Sequence, residues 1–321
     1  NNDLFFDSIN ADIYVDKTML IGNCNRLIRK PNKFMCITRP RRFGKTMALS
    51  MLNAYYSKGC DSASLFDKLN IASDNSYLEH LNKHNVVYIT FNELPNSNCS
   101  YNEFIGRYID FLKSDLRGMY SEIEIDQGML MSDVFNQVYN QTGESFVFII
   151  DEWDYIFNNN LFSEEDRKSF LEFLRDLLKD KPYVELAYMT GVLPIAKYSA
   201  GSALNMFLEF NIMNDHMYDK YFGFTNEEVE ELCKKQNKIS MDELKEWYNG
   251  YYTCNSLQIY NPRSVTTALR QGVCQSYWTN TGPMDEIIYY INNNVGEVKD
   301  DIVSMVSGIP LEIKLNGYGA E

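Results

Sequence analysis

The chain has little with which to build a disulfide framework, a zinc centre or a membrane span. Its seven cysteines (Cys24, Cys36, Cys60, Cys99, Cys233, Cys254 and Cys274) are scattered, odd in number and without a Cys-x-x-Cys pair. That pattern argues against structural disulfides and zinc, and for a reducing compartment. There are only three histidines. His80 and His84 lack the intervening glutamate of a zinc-protease helix and read as exposed helix residues. No apolar run approaches the length of a bilayer span, and no secretory leader opens the chain, so the expected location is the cytoplasm. The chain begins Asn1-Asn2-Asp3 without an initiator methionine, as expected of one trimmed at its N-terminus. Positive charge is also scarce: 30 Lys and Arg face 44 Asp and Glu, a net charge of −14. Nonspecific coating of nucleic acid needs many cation–phosphate contacts, so this balance disfavours it, although a local basic patch stays open. Repeats and low-complexity tracts are lacking, and no Ser or Cys nucleophile has a base near it in sequence.

What is present is a hydrophobic content of 45% over 321 residues, enough for one large or two medium domains with a real core. An apolar stretch, Met35-Cys36-Ile37, runs through Thr38-Arg39-Pro40-Arg41-Arg42-Phe43 into Gly44-Lys45-Thr46, the layout of a strand, a phosphate loop and a helix start. A glycine there lets backbone approach the ligand, the following amides open a helix with its positive end outward, and Lys45 and Thr46 can reach the β/γ-phosphates and Mg²⁺. The usual loop carries a second glycine five residues before Gly44, where this chain has Arg39; an ordinary turn before a helix is the competing reading. The expected nucleotide-binding segment is Arg39, Pro40, Arg41, Arg42, Phe43, Gly44, Lys45, Thr46 and Met47. Its arginines are read as contacts to nucleotide or loop rather than to DNA.

About 100 residues on, Phe146-Val147-Phe148-Ile149-Ile150 closes in Asp151-Glu152. A strand covered on both faces is apolar throughout, and its carboxyl end is where ligands sit in an open α/β sheet. Asp151, with Thr46, is then expected to hold Mg²⁺, and Glu152 to orient the water that attacks the γ-phosphate. A solvated acidic turn is the alternative for this run alone. Helices are expected over 19–29, 46–56, 101–120, 131–141 and 163–179, and strands over 85–92 and 183–190, with Gly191 interrupting the last. The strand between the phosphate loop and the acidic strand points to an α/β P-loop fold of the additional-strand, catalytic-glutamate class, with a parallel sheet in the order 5-1-4-3-2. Thr190 falls where that class places a polar sensor of the γ-phosphate, though a threonine at a strand end is also a common turn residue. Catalytic roles are therefore expected for Glu152, Lys45 and Thr190. Beyond Asp215, Thr225 with Glu228 caps a helix, two further helices cover 241–248 and 262–270, and a small hairpin falls over 251–260.

Taken in order, these stretches resemble the AAA-ATPase-like proteins of bacteria and some anaerobic eukaryotes. The resemblance rests on Tyr14-Val15-Asp16-Lys17-Thr18, Thr38 to Thr46, Phe148-Ile149-Ile150-Asp151-Glu152-Trp153-Asp154, Thr190-Gly191-Val192, Tyr221 to Thr225, Trp247-Tyr248-Asn249-Gly250-Tyr251 and Ile259-Tyr260-Asn261-Pro262. It differs at Asn249, where Asp is usual, and at Arg263, where Trp is common. In that family the Arg-Pro-Arg-Arg-Phe-Gly-Lys loop is normal. The resemblance implies that the Val15-Asp16-Lys17 segment contacts the base or ribose and that Pro262 closes on the base, with cap and turn roles as the alternatives. It implies an ATP- and Mg²⁺-dependent hydrolase, acting slowly to switch an attached effector, and a possible homo-oligomer through in-trans arginines. Members often carry a C-terminal PD-(D/E)XK nuclease-like domain; Glu312-Ile313-Lys314 matches its motif superficially and reads as linker. The expected division is an ATPase core over 1–215, a helical or winged-helix lid over 216–282, and a helix and tail over 283–321 leading toward such a domain. Two other readings stand beside the switch: a nucleotide-holding scaffold without turnover, and the regulatory part of a nuclease acting on DNA or RNA.

Overall fold

A computed structural model describes residues 2–195, 203–248 and 250–277. The helix and tail expected over 283–321, with Glu312–Lys314, lie outside the described residues, as does Asn249.

Strands β1 (Phe34–Thr38), β2 (Asn85–Thr90), β3 (Phe146–Asp151), β4 (Val184–Gly191) and β5 (Leu208–Phe210) form one parallel sheet in the order β5-β1-β4-β3-β2. Strands β1, β3 and β4 are buried along their whole length. Their side chains alternate between two cores, as a period of two requires. Phe34, Cys36, Phe146, Phe148 and Ile150 enter one core with helices α6 (Tyr101–Met119), α7 (Met131–Thr142) and α8 (Glu164–Leu178). Met35, Ile37, Val147 and Ile149 enter the other with α1 (Asp3–Ile9), α2 (Met19–Asn25), α3 (Lys45–Tyr56), and the short α4 (Ala63–Phe66) and α5 (Tyr77–His80). Each fully buried Leu or Phe in these layers contributes about 1.5–3 kcal/mol.

A register shift between Phe146 and Val147 leaves Glu185 of β4 out of step. Its buried carboxylate takes bonds from Arg29 Nε at 3.1 Å, Ser145 Oγ at 3.1 Å and His84 Nδ1 at 2.7 Å. His84 is therefore not an exposed helix residue; it follows α5 and, with His80 at 3.0 Å, sits partly buried at the amino end of the sheet. Two further expectations change. Helix α2 ends at Asn25 and not Arg29, whose φ of 59° is incompatible with helix. Gly191 closes β4 within the sheet, paired with Thr38, and does not interrupt it.

After β5 come β6 (Phe224–Thr225), α9 (Asn226–Gln236), α10 (Met241–Tyr248), β7 (Tyr251–Tyr252), β8 (Gln258–Tyr260) and α11 (Pro262–Gln271). Thr225 and Glu228 form a reciprocal capping box on α9. Asn261 caps α11 and Pro262 occupies its first turn, where a missing N–H costs nothing. The strands pair antiparallel in the order β6-β8-β7, so the small hairpin gains a third strand. Val229, Leu232, Leu244, Val265 and Leu269 form a separate core that also takes Ile13 from the N-terminal segment.

Candidate active site

The carboxyl ends of β1, β3 and β4 open into a cavity of about 980 Å³ between the sheet and α11. Residues 41–47 line it, and the chain turns there through Arg42 (φ 71°) and Gly44 (φ 89°) into the N-terminus of α3. Gly44 supplies the left-handed conformation at no steric cost. Lys45, 8% exposed, folds back and donates from Nζ to the carbonyls of Arg39 (2.8 Å) and Pro40 (3.0 Å). Burial pulls its pKa down to about 8, against the upward effect of Asp151, Asp154 and Glu152.

Asp151 ends β3, 1% exposed. Its Oδ2 accepts from the Thr46 hydroxyl at 2.8 Å, and its Oδ1 accepts from the Thr190 hydroxyl at 2.6 Å and from the Glu152 N–H at 2.9 Å. One carboxylate thus joins the start of α3, β3 and β4. Glu152 has φ 51°, a strained conformation for a residue with a Cβ, and such strain gathers at functional sites. Its carboxyl is pushed above the usual range by burial, then by Asp151 and Asp154. The turn is fastened to β4 again by Trp153 N–H to Thr190 O (3.2 Å) and by Asp154 Oδ2, which accepts from Val192 and Leu193 N–H at 2.9 and 2.7 Å. Burial also raises the pKa of Asp154.

Across the cavity, α11 presents Pro262, Arg263, Thr266, Thr267 and Arg270 on one face. Arg42, Arg41 and Arg263 lie close enough that, after burial, the two neighbours hold the Arg42 guanidinium below its usual pKa. Ile13, Tyr14, Val15, Tyr221 and Phe224 also line the cavity and give it an apolar share of its wall.

Lys45, Thr46, Glu152, Asp151, Arg41, Arg42, Phe43, Gly44, Met47, Val15 and Pro262 are thus brought around one cavity. Others are not. The Arg39 guanidinium turns into the protein and pairs with Asp215, both fully buried, because a cation at that position has a buried carboxylate waiting for it. Pro40 contributes a carbonyl to Lys45 and no side chain to the cavity wall. Phe43 lines the cavity, but its ring is buried against Tyr251. Both Asp16 oxygens are occupied, Oδ1 by Thr18 N–H (2.8 Å) and hydroxyl (2.6 Å) and Oδ2 by Asn70 N–H (2.7 Å), so Asp16 holds a turn and does not reach a ligand. Thr190 is fully buried behind Asp151 and outside the wall, so it reaches a ligand only through Asp151. Lys17 does line the cavity, but its Nζ is held by Glu228 at 2.6 Å and Lys220 O at 2.6 Å. Sequence reasoning missed Asp154, Arg263 and Arg270 as cavity residues. The spacing of 263 and 270, seven residues after a capped start, is the signal that a helix face carries both.

A family profile described as Predicted AAA-ATPase matches residues 6–200. A protein of Azotobacter chroococcum mcd 1, described as an uncharacterized protein in the vnfD 5' region, is 26% identical over 275 residues, covering 84% of this chain and 50% of that one. Among solved structures, the Aeropyrum pernix ORC2 protein in ADPNP–ADP complexes aligns at 10% identity with a TM-score of 0.34, over 79% of this chain and 59% of that one. Its ADP form aligns at 10% identity and a TM-score of 0.30, over 73% and 50%. The chain thus spans about half the length of the relative and of the ADP form. Among the described residues, no helix is long and apolar enough to cross a membrane.

Proposed function

Because this chain belongs to the predicted AAA-ATPase family, we propose that it binds MgATP in the cavity and hydrolyses it slowly, as a P-loop ATPase of the catalytic-glutamate class that switches an attached effector. The observation that carries the reading is the Asp151 carboxylate, bonded at once by Thr46 and Thr190 beside the half-buried Glu152. Lys45 and the amides opening α3 would take the phosphates, with Arg41, Arg42 and Arg263 facing the remaining negative charge. Ile13, Tyr14, Val15, Phe224 and Pro262 would hold the base.

Hard oxygen donors suit magnesium, and the Thr46 hydroxyl and an Asp151 oxygen are such donors, so these two residues would hold the ion, directly or through water. Bound with the nucleotide, it would neutralise charge developing on the phosphates. Glu152 would orient the attacking water and accept its proton at the carboxylate, a role that burial and the neighbouring Asp151 and Asp154 favour by raising its pKa above the usual carboxylate value. Thr190 would fix Asp151 without touching substrate. Calorimetry on Lys45→Ala tests the reading: loss of MgATP binding is expected, and unchanged affinity would sink the nucleotide-site assignment. Whether turnover occurs is decided by steady-state phosphate release from the wild type, whose complete absence transfers the reading to a nucleotide-holding scaffold.

A further inference from the structure

The Arg39 side chain at the start of this loop turns away from the cavity and is bonded to the end of β5 and the chain that follows it. Arg39 Nη1 donates to the carbonyls of Thr38 and Phe210, both at 2.8 Å, while Nη2 pairs with Asp215 Oδ2. The guanidinium also lies 5.2 Å from the ring centre of Phe222. The other Asp215 oxygen accepts from the N–H groups of Met217 and Tyr218 at 2.9 and 2.6 Å, so the same carboxylate shapes the segment leading into the C-terminal subdomain.

Two further loop residues repeat the connection. Phe43 O accepts from Gly223 N–H at 3.1 Å, and its ring meets Tyr251 edge-on at 5.1 Å. Gly223 has φ 87°, and a Cβ there would stand 3.2 Å from the Phe43 ring, so a glycine is what lets the two chains close up. Arg41 O accepts from Asn261, the cap of α11, at 3.4 Å. Meanwhile the carbonyls of Arg39 and Pro40 are held from the cavity side by Lys45 Nζ.

We propose that Arg39 and Phe43 are positioning residues that gear the phosphate loop to the C-terminal subdomain, so that occupation of the phosphate site is transmitted to residues 215–223 through the Arg39–Asp215 pair. This rests on the nucleotide reading of the cavity. Lys45 spends two of its three N–H donors on the carbonyls of Arg39 and Pro40. Phosphate oxygens that draw the ammonium into the cavity loosen those two bonds, and the peptides they hold belong to the residue anchored on Asp215. A ligand shifts such an equilibrium only by contacts that differ between the two states, and the exchange at Lys45 is such a difference.

The test is hydrogen exchange in the full chain, with and without MgATP, read in peptides covering residues 211–223, with nucleotide affinity measured in parallel. In the wild type, nucleotide is expected to change protection of the Met217 and Tyr218 amides by about fivefold or more, the lower end of ordinary coupling. The double variant R39M/D215N replaces a buried ion pair by an apolar group and a neutral amide, a kind of exchange that cores tolerate, and Asn keeps an acceptor for the two amides. It is expected to bind MgATP within about threefold of the wild type while its nucleotide-dependent change falls below about twofold. Tyr251→Ala removes only a half-exposed ring from Phe43 and reads the second connection without disturbing the buried pair; a reduced response is expected. An undiminished response in either variant, or a wild-type segment indifferent to bound nucleotide, overturns the proposal. A wild type that binds no MgATP overturns the nucleotide reading itself, a result seen in the calorimetry and independent of the exchange data.

Discussion

Raising the pH from 7 to 9 should weaken ATP binding by a predictable amount. In the free protein burial brings the Lys45 pKa down to about 8 against the upward pull of Asp151, Asp154 and Glu152, while its ammonium donates to two neutral carbonyls. On the proposed nucleotide reading, a bound triphosphate would place several negative charges at Nζ and return it to at least the ordinary lysine value of about 10.4. The pKa is therefore lower in the free state than in the complex, so binding takes up a proton. Affinity is at its full value below pH 8 and falls as pH rises through 8. With a free-state value of about 8, roughly nine-tenths of the molecules carry the proton at pH 7 and one-tenth at pH 9. The expected loss is about tenfold in affinity, close to 1.4 kcal/mol. Phosphate groups with a second pKa of about 6 are ionised across this range and contribute little. The assay is calorimetry with a non-hydrolysable ATP analogue and Mg²⁺ at pH 7, 8 and 9, in pairs of buffers differing in ionisation enthalpy. At pH 8 it should report uptake of about half a proton per nucleotide bound. A flat affinity profile with no proton uptake at pH 8 would refute the reasoning.

Glu152→Gln keeps size and hydrogen-bonding capacity but removes the proton acceptor, so nucleotide should still bind while turnover falls on the order of 10²-fold or more; turnover at the wild-type rate removes Glu152 from the chemistry. Asp151→Ala should instead weaken the Mg²⁺ dependence of nucleotide binding, measured by titration at fixed ATP. Gly191→Ala would set a Cβ 2.5 Å from Trp153 Nε1 and 2.8 Å from Asp154 Oδ1. Overpacking of this kind costs about 1–3 kcal/mol, and an unchanged thermal midpoint would show that the turn yields. Thr190→Val leaves the buried Asp151 oxygen with one donor fewer and should cost about 1–3 kcal/mol in denaturant titration, with Thr190→Ser restoring most of it.

The apolar runs at 34–38 and 146–150 announce fully buried strands because both of their faces meet helices, and the strand at 85–90 between them is legible from its β-branched and aromatic residues. Strand β5 is three residues long and starts with an exposed Leu208, so it carries too little pattern to be seen. The capping signal at Thr225 and Glu228 locates α9 well because a cap is a local hydrogen bond between near neighbours. Arg39, read from its place in the loop, and Asp16, read from the family resemblance, show where a charge misleads. Each is expected from the sequence to contact a ligand, yet each meets a partner 176 or 54 residues away.

By itself the sequence determined that a phosphate-loop turn, an acidic strand end and a capped helix exist, since each is fixed by residues a few positions apart. Only the tertiary structure decided what those parts do for one another. It set Thr46 and Thr190 on opposite oxygens of Asp151, moved Asp154 and the α11 arginines to the cavity wall, and turned Arg39 away from it toward Asp215. The reason is physical: a side chain's partner is fixed by the distance and burial that folding creates, and a buried charge takes the nearest opposite charge that folding brings to it.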